Sequence, residues 1–479
     1  MTEKNQSDRR DFMKKSGLLA TAISLGAAPA FTQNPSDSGN LVRVGWIGTG
    51  GRGNHLMRKV VKLPNVKVTA LCDLWPPNLE GSKATAANPD VKTFQAHEEM
   101  LEKAGGDIDC VVVTSPLHWH APHSIAAMKA GKHVFCEKTM ALSIEDANEM
   151  VRVSKQTEKF VQVGLQRRYS PIYRKAVHMV LNEGLLGRIT LIRCGWHRNY
   201  IWARSIPDNT WPEGKEYDLV KKYYPDYKHY RNWRLYWNYS GGLMTELGSH
   251  QLDVCSWVLG CHPTAVQGVG GKDYWKDDRE IFDNVQVIYE FNITPNERNK
   301  KAFFSSEPSA LEDQVGAEET LRKMKEDPYV AKVIYSSIGA NAHEGASEEI
   351  MGDRGTILLT TTKGVFFEEP AAPKLAWGTK AMSKEEQAAR DALVITSGAT
   401  HDLSMNPQED EGEPFARPMV GMDFEDIELS DFFACVRSGG AKKPYCDVEF
   451  GRNDAVMVLL ANEAMMKEKR IEIDESYYA

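Results

Sequence analysis

From Val42 onward the apolar positions come in short runs, Val42–Ile47, Val66–Cys72, Cys110–Thr114, His133–Cys136 and Phe160–Val163, separated by stretches with helical spacing. Apolar runs of this length, alternating with helices, predict buried parallel strands. His55–Val61, Ser124–Ala130 and Ile144–Thr157 carry the helical spacing, and Ser143 with Asp146 three residues on marks an N-cap and first turn. After Gly164 the pattern changes. Longer strand-like segments, Ile189–Trp196, Val285–Phe291, Lys332–Ser336, Gly355–Thr360 and Gly364–Glu368, follow one another without regular helices between them. That order predicts a largely antiparallel sheet. The expected architecture is an α/β domain with a doubly wound parallel sheet over 39–164, then an α+β domain with a large, mostly antiparallel open sheet over 165–479. Two insertions interrupt the second domain, an aromatic one near 199–239 and a polar, charged one near 292–329. The closing segment Phe450–Lys469 has helical spacing and no visible chemistry.

With 479 residues the chain is too long for one core, in keeping with two domains. A net charge of -8 gives no electrostatic reason to expect nucleic acid or an anionic membrane as partner. Residues 1–38 read separately, as a leader and linker. Arg9-Arg10-Asp11-Phe12-Met13-Lys14 is followed by the apolar run Gly17–Ala28 and by Ala28-Pro29-Ala30. That is a basic segment, an apolar stretch too short to span a bilayer, and a small-residue cleavage site. The paired arginines resemble the twin-arginine signal, which exports proteins already folded, so a periplasmic or otherwise exported protein is expected. No later segment reaches the apolar length of a membrane span. Of the eight cysteines, Cys72, Cys110 and Cys136 lie in strand-like runs, where a thiol serves as a small buried hydrophobe. Folding in the reducing cytoplasm would leave the thiols reduced, and no Cys/His cluster has metal-ligand spacing, so no metal is expected.

The first strand ends in Gly48-Thr49-Gly50-Gly51-Arg52-Gly53 and runs into a helix. In that context a GxGxxG turn has its dinucleotide-binding meaning. Gly48 permits the tight turn, Gly50 lets the backbone approach a pyrophosphate, and Gly53 lets the helix pack on the sheet. The diphosphate then rests on the helix N-terminus. Asp73, at the end of the second strand, is placed to bind the adenosine ribose hydroxyls or, alternatively, to cap the next turn. Its charge would repel a 2′-phosphate and favours NAD over NADP, whereas Arg52 could pair with a phosphate.

The fourth and fifth strands end in Thr114-Ser115-Pro116-Leu117-His118-Trp119-His120 and Glu137-Lys138-Thr139-Met140, at the sheet edge where open α/β folds bind ligands. Further on, Gly241-Gly242-Leu243-Met244-Thr245-Glu246-Leu247-Gly248-Ser249-His250 would, as a helix start, put Glu246 and His250 on one face. With Gly164-Leu165-Gln166-Arg167-Arg168-Tyr169, Met351-Gly352-Asp353-Arg354-Gly355-Thr356 and Lys442-Lys443-Pro444, these motifs make nearly the whole chain after the leader resemble the Gfo/Idh/MocA family of oxidoreductases. The resemblance implies a catalytic group of Lys138, Glu246 and His250. It also implies an NAD held by Gly48 to Gly53, Asp73, Ser115, Pro116, Leu117, His120, Glu137, Lys138 and Gln166, and export in the folded state requires that NAD to be tightly bound. Two positions depart from the family pattern: Thr139 stands in place of proline, so a cis bond there is not assured, and Glu246 stands in place of aspartate.

Oxidising a secondary alcohol needs a base for the hydroxyl proton and a cation for the developing alkoxide. His250 is the expected base and Lys138 the donor, while Glu246 orients one of them or holds a substrate hydroxyl. Trp196, Trp202, Trp211, Tyr217, Tyr223, Tyr224, Tyr230, Trp233 and Trp237 are dense enough to offer stacking faces to a sugar ring, although core packing explains most such clusters. Trp202, Trp233, His197 and Tyr169 are the expected substrate contacts, Tyr169 also as an acid/base. Three functions stay open: an NAD-dependent oxidoreductase acting on a sugar or glycoside hydroxyl, a redox-neutral glycosidase with bound NAD, and a sugar-binding protein without catalysis. Members of the family commonly pair through the exposed face of the second sheet, which implies a homo-oligomer.

Overall fold

A computed structural model describes residues 41–181, 185–293, 329–353, 355–368, 393–396 and 423–479. The leader with its paired arginines, and nearly all of the 292–329 insertion, lie outside the described residues.

The first six strands are β1 (Val42–Ile47), β2 (Val66–Cys72), β3 (Lys92–Phe94), β4 (Cys110–Val113), β5 (His133–Cys136) and β6 (Val161–Val163). They form an all-parallel sheet in the order β3-β2-β1-β4-β5-β6. This is the doubly wound order whose halves diverge between β1 and β4, opening a crevice at their carboxyl ends. Helices α1 (Gly51–Val60), α2 (Pro76–Thr85), α3 (His97–Ala104), α4 (His120–Lys129) and α5 (Ile144–Thr157) connect the strands. Every residue of β4 and β5 is buried, because helices cover both faces, and this is why those strands appear as unbroken apolar runs. Ser143 Oγ accepts from the Asp146 amide at 3.0 Å, capping α5 where the sequence placed the cap.

After α6 (Pro171–Leu181) the chain builds a second sheet. Its strands are β7 (Ile189–Trp196), β8 (Ala265–Gly271), β9 (Asn284–Ile293), β10 (Tyr329–Ile338), β11 (Ala346–Gly352), β12 (Gly355–Thr360), β13 (Lys363–Glu368), β14 (Leu393–Thr396) and β15 (Ile471–Glu472). Their order is β14-β13-β12-β11-β7-β10-β9-β8-β15, antiparallel throughout except for β7 with β10. One face packs against α7 (Ser249–Leu259), all of whose residues are buried.

Two late helices reach back to the first domain. In α8 (Phe424–Arg437), Leu429, Phe432 and Phe433 share a core with Val44, Trp46 and Phe135. In α9 (Val448–Lys467), Val448, Phe450 and Ala455 pack under the first sheet, while Val456, Leu460 and Ala464 pack under the second. The two sheets therefore share one continuous helix, and residues 424–455 complete the first domain's core. All eight cysteines are buried and none forms a disulfide. Among the described residues no helix is long and apolar enough to cross a membrane.

Candidate active site

The turn after β1 is shaped by two glycines. Gly48 has φ +90°, and a Cβ there would collide with the Ser115 backbone; a Cβ on Gly53 would collide with the Gly48 carbonyl oxygen. Only glycine lets β1, β4 and α1 approach this closely. No side chain caps α1, whose N-cap is Gly50, so its first amides face the crevice as an anion site. Asp73 Oδ2 accepts from the Thr49 amide at 2.7 Å, Thr49 Oγ1 at 3.3 Å and Asn78 Nδ2 at 3.1 Å. Among the described residues its Oδ1 accepts only from the Trp75 amide at 2.8 Å, which leaves a lone pair for a ribose hydroxyl. The carboxylate thus caps the next turn and faces the crevice at once; burial raises its pKa while these donors oppose the rise.

Lys138 lies close enough to His250 for its charge to act on the imidazole. The Lys138–Thr139 bond is cis although threonine rather than proline follows Lys138, and Thr139 Oγ1 donates to the Thr245 carbonyl at 3.0 Å. Met244–Gly248 is a π-helical turn leading into α7, and Lys138 Nζ donates to the Glu246 carbonyl within it at 2.8 Å. Such turns concentrate at functional sites. Burial lowers the Lys138 pKa against the opposing pull of Glu246 and Glu137. His250 is 6% exposed, and its Nδ1 is buried with no hydrogen-bond partner. Burial, then the charges of Lys138, Arg167, Arg52 and Arg198, hold it well below the usual histidine pKa, so the ring is neutral at neutral pH, the protonation state from which a general base starts. The Glu246 carboxylate accepts from Arg234 Nε at 2.8 Å and Ser240 Oγ at 3.3 Å. Burial would raise its pKa, but Arg234 and Lys138 prevail and keep it ionised.

Several expected contacts are committed elsewhere. Arg52, a candidate phosphate partner, instead pairs with Glu137 at 2.7 Å and Glu425 at 2.5 Å, joining α1 to β5 and α8; its third contact is Gln166 Oε1 at 3.4 Å. Both His120 ring nitrogens lie 2.8 Å from backbone oxygens, those of Thr139 and Ser115, so this histidine clamps two strand ends rather than facing the crevice. Leu117 is buried core. Tyr169, expected as a substrate contact and acid/base, is buried and does not line the cavity in the crevice. It is 2% exposed, its hydroxyl donates to Asp431 at 3.1 Å, and burial pushes its pKa far up. His197 is held by the His343 carbonyl at 2.8 Å and Ser336 Oγ at 2.7 Å, tying β7 to its neighbours.

The aromatic insertion also differs from expectation. Most of its rings pack on one another and on Trp75, with Trp75–Tyr230 centroids 4.9 Å apart and Tyr224–Tyr230 5.2 Å apart. Trp202 and Trp233 remain at a cavity, flanking the Arg234 guanidinium at 5.8 and 4.2 Å, while Trp196 lies 5.5 Å from the His250 ring. This cavity, of about 440 Å³, is lined by Gly48, Gly50 to Arg52, Asp73, Ser115 and Pro116 on one side and by the insertion on the other. Arg234, a cation inside an aromatic loop, Asn78 in α2 and Gln95 just after β3 also line the cavity, and no motif in the sequence marks them.

The family profile described as "Oxidoreductase family, NAD-binding Rossmann fold" matches residues 42–165, and "GFO/IDH/MocA C-terminal domain" matches 174–293; together they cover half of the chain. The chain belongs to the Gfo/Idh/MocA oxidoreductase family. Its first domain is that family's NAD-binding Rossmann domain. Inositol 2-dehydrogenase of Acidiphilium cryptum is 36% identical over 177 residues, 35% of this chain and 50% of that protein. A glycosyl hydrolase family 109 protein of Stenotrophomonas maltophilia is 29% identical over 235 residues, 47% of this chain and 49% of that protein. The matched stretches thus span about half the length of these relatives. A levoglucosan dehydrogenase solved in complex with NADH and levoglucosan shares the fold, with a TM-score of 0.61 at 17% identity, over 90% of this chain and 99% of that one.

Proposed function

We propose that this protein is an NAD-dependent oxidoreductase moving hydride between a ring hydroxyl of a sugar or glycoside and nicotinamide. The observation that carries the reading is the neutral, buried His250, with an unpartnered nitrogen, under the influence of the Lys138 ammonium. The glycine turn fits a dinucleotide: a Cβ on Gly50 would meet nothing nearer than Asn78 Nδ2 at 3.9 Å, and one on Gly51 nothing within 4 Å, so the backbone is bare where a diphosphate would approach. NAD, when bound, supplies the hydride acceptor. His250 takes the hydroxyl proton, Lys138 steadies the oxygen losing it, and Arg234 holds Glu246 ionised to accept from a neighbouring hydroxyl. Trp202 and Trp233 offer their faces to the ring.

The likeness to glycosyl hydrolase family 109 favours a second reading, in which oxidation and re-reduction of the ring flank elimination of an aglycone, with no net redox change. Incubating the protein with a panel of free sugars and glycosides separates the two. Ketosugar with accumulating NADH supports the dehydrogenase, and free reducing sugar at constant cofactor redox state supports the glycosidase. Neither product from any compound would sink both.

The paired Arg9 and Arg10 support export in the folded state, and so a periplasmic enzyme carrying its NAD with it. The exposed apolar residues Val269, Ile288, Val330 and Ile334 on β8, β9 and β10 support pairing of copies through the open face of the second sheet. Light scattering on an Ile288→Lys, Ile334→Lys variant tests that: dissociation supports it, and an unchanged mass refutes it.

A further inference from the structure

The insertion is tied to the first domain around the crevice: His118 meets Tyr224 and Tyr239 at centroid distances of 5.7 and 4.9 Å, and three further residues add contacts. Trp75, the residue before α2, is 5% exposed and packs against Tyr217, Tyr227 and Tyr230 at centroid distances of 4.8, 5.7 and 4.9 Å. Gln95, just after β3, donates from Nε2 to the Glu216 carbonyl at 2.7 Å. Trp119, ahead of α4, meets Tyr223 edge-on at 4.9 Å. These anchors surround the carboxyl ends of β1 to β4, so the insertion forms the outer wall of the cavity that starts at the glycine turn.

Four arginines line that cavity. Two are neutralised, Arg52 by Glu137 and Glu425, and Arg234 by Glu246. Arg204 and Arg231 pair with no carboxylate among the described residues, and Arg231 Nε is buried without a hydrogen-bond partner. Their positions are fixed by a reciprocal bond: the Arg204 amide donates to Asn232 Oδ1 at 2.7 Å, and Asn232 Nδ2 donates to the Arg204 carbonyl at 2.9 Å. Burial and the neighbouring charges of Arg231 and Arg234 disfavour the Arg204 cation as the structure stands. Two uncompensated guanidiniums on one wall and an uncapped helix N-terminus on the other make a site for a multiply charged anion. A dinucleotide brings such an anion in its diphosphate.

We infer that the 199–239 insertion is a clasp over the bound dinucleotide, in which Arg204 and Arg231 close on its diphosphate and the Trp75, Gln95 and Trp119 contacts keep the clasp shut. The inference rests on the hydride chemistry proposed above and adds to it the element that retains the cofactor. The dinucleotide leaves only when those aromatic contacts part, so release is slow compared with exchange from an open crevice.

The test is the rate at which labelled NAD leaves the full-length protein, at low and high salt, in the wild type, in Arg204→Gln, Arg231→Gln and in Tyr230→Ala, with circular dichroism checking the fold. The arginine double variant should release NAD roughly tenfold faster or more and lose most of the salt dependence of release. Tyr230→Ala should speed release while keeping that salt dependence. An unchanged release rate in both variants overturns the clasp. So does unchanged NAD release with a raised KM for carbohydrate, which would give the arginines to the substrate, and so does an effect confined to NADP, which would give them to a 2′-phosphate. A wild type that holds no dinucleotide at all overturns the hydride chemistry itself, a result distinct from fast release of a bound one.

Discussion

Arg52 separates what its place in the motif suggests from what its neighbours do. Replacing it with methionine keeps most of the side-chain volume and removes the charge between Glu137 and Glu425. Burial alone would raise the Glu425 pKa, yet His55 and Arg52 hold it down at about 2 against an ordinary 4.5. That difference corresponds to about 3 kcal/mol of stability at neutral pH. His55 shares the effect, and Arg52 is 31% exposed, so part of its attraction is screened. The loss expected from Arg52→Met is therefore about 2 kcal/mol, between a surface pair and a fully buried one. Urea unfolding at neutral pH measures it, and calorimetric titration measures NAD affinity, which should change less than about threefold. Unaltered stability with a loss of NAD affinity beyond roughly tenfold would refute the reasoning and make Arg52 a phosphate ligand after all.

Other residues give equally definite expectations. Arg168 and Asp253 form a buried pair with three hydrogen bonds of 2.7–2.9 Å, fixing the helix that carries His250, and Asp253→Asn should cost about 3–5 kcal/mol in urea unfolding. The Glu425 carboxylate, depressed in the folded state, stabilises fully above its unfolded pKa of 4.5, and that contribution fades as the pH falls toward about 2. A pH series of melting curves should accordingly be flatter over this window for Glu425→Gln than for the wild type. His250→Ala or Lys138→Ala should lower kcat by roughly a hundredfold or more while NAD stays bound; near-normal turnover would remove that residue from the chemistry.

Both layers of the fold were legible because burial leaves a periodic trace. The covered strands β4 and β5 and the capped helix α5 follow directly from it. β3 has only three residues, and glycine-rich β8 has little side-chain pattern to follow. β11 was hidden because Glu348 points into the core to pair with buried Arg167, reversing the polarity its position would suggest. The same limit applies at the site. Gly48, Gly53, Asp73 and Lys138 are recognisable from local spacing, because a strand end and a turn determine where they lie. Tyr169 and His197 have suitable chemistry, but their partners Asp431 and Ser336 lie far along the chain, and sequence spacing does not reveal such commitments. Arg204 and Arg231 are found only once the insertion is seen to lie across the glycine turn.

The central claim, that a carbohydrate C–H delivers its hydride to a dinucleotide held at the Gly48–Gly53 turn, is tested most directly by isotope transfer. The protein loaded with NAD is mixed with sugars and glycosides deuterated at successive ring carbons, and the nicotinamide is recovered after one turnover for mass spectrometry. The account predicts deuterium on the nicotinamide from one ring position, abolished in His250→Ala. Nicotinamide free of label with every carbohydrate offered, from protein that demonstrably binds NAD, would contradict it.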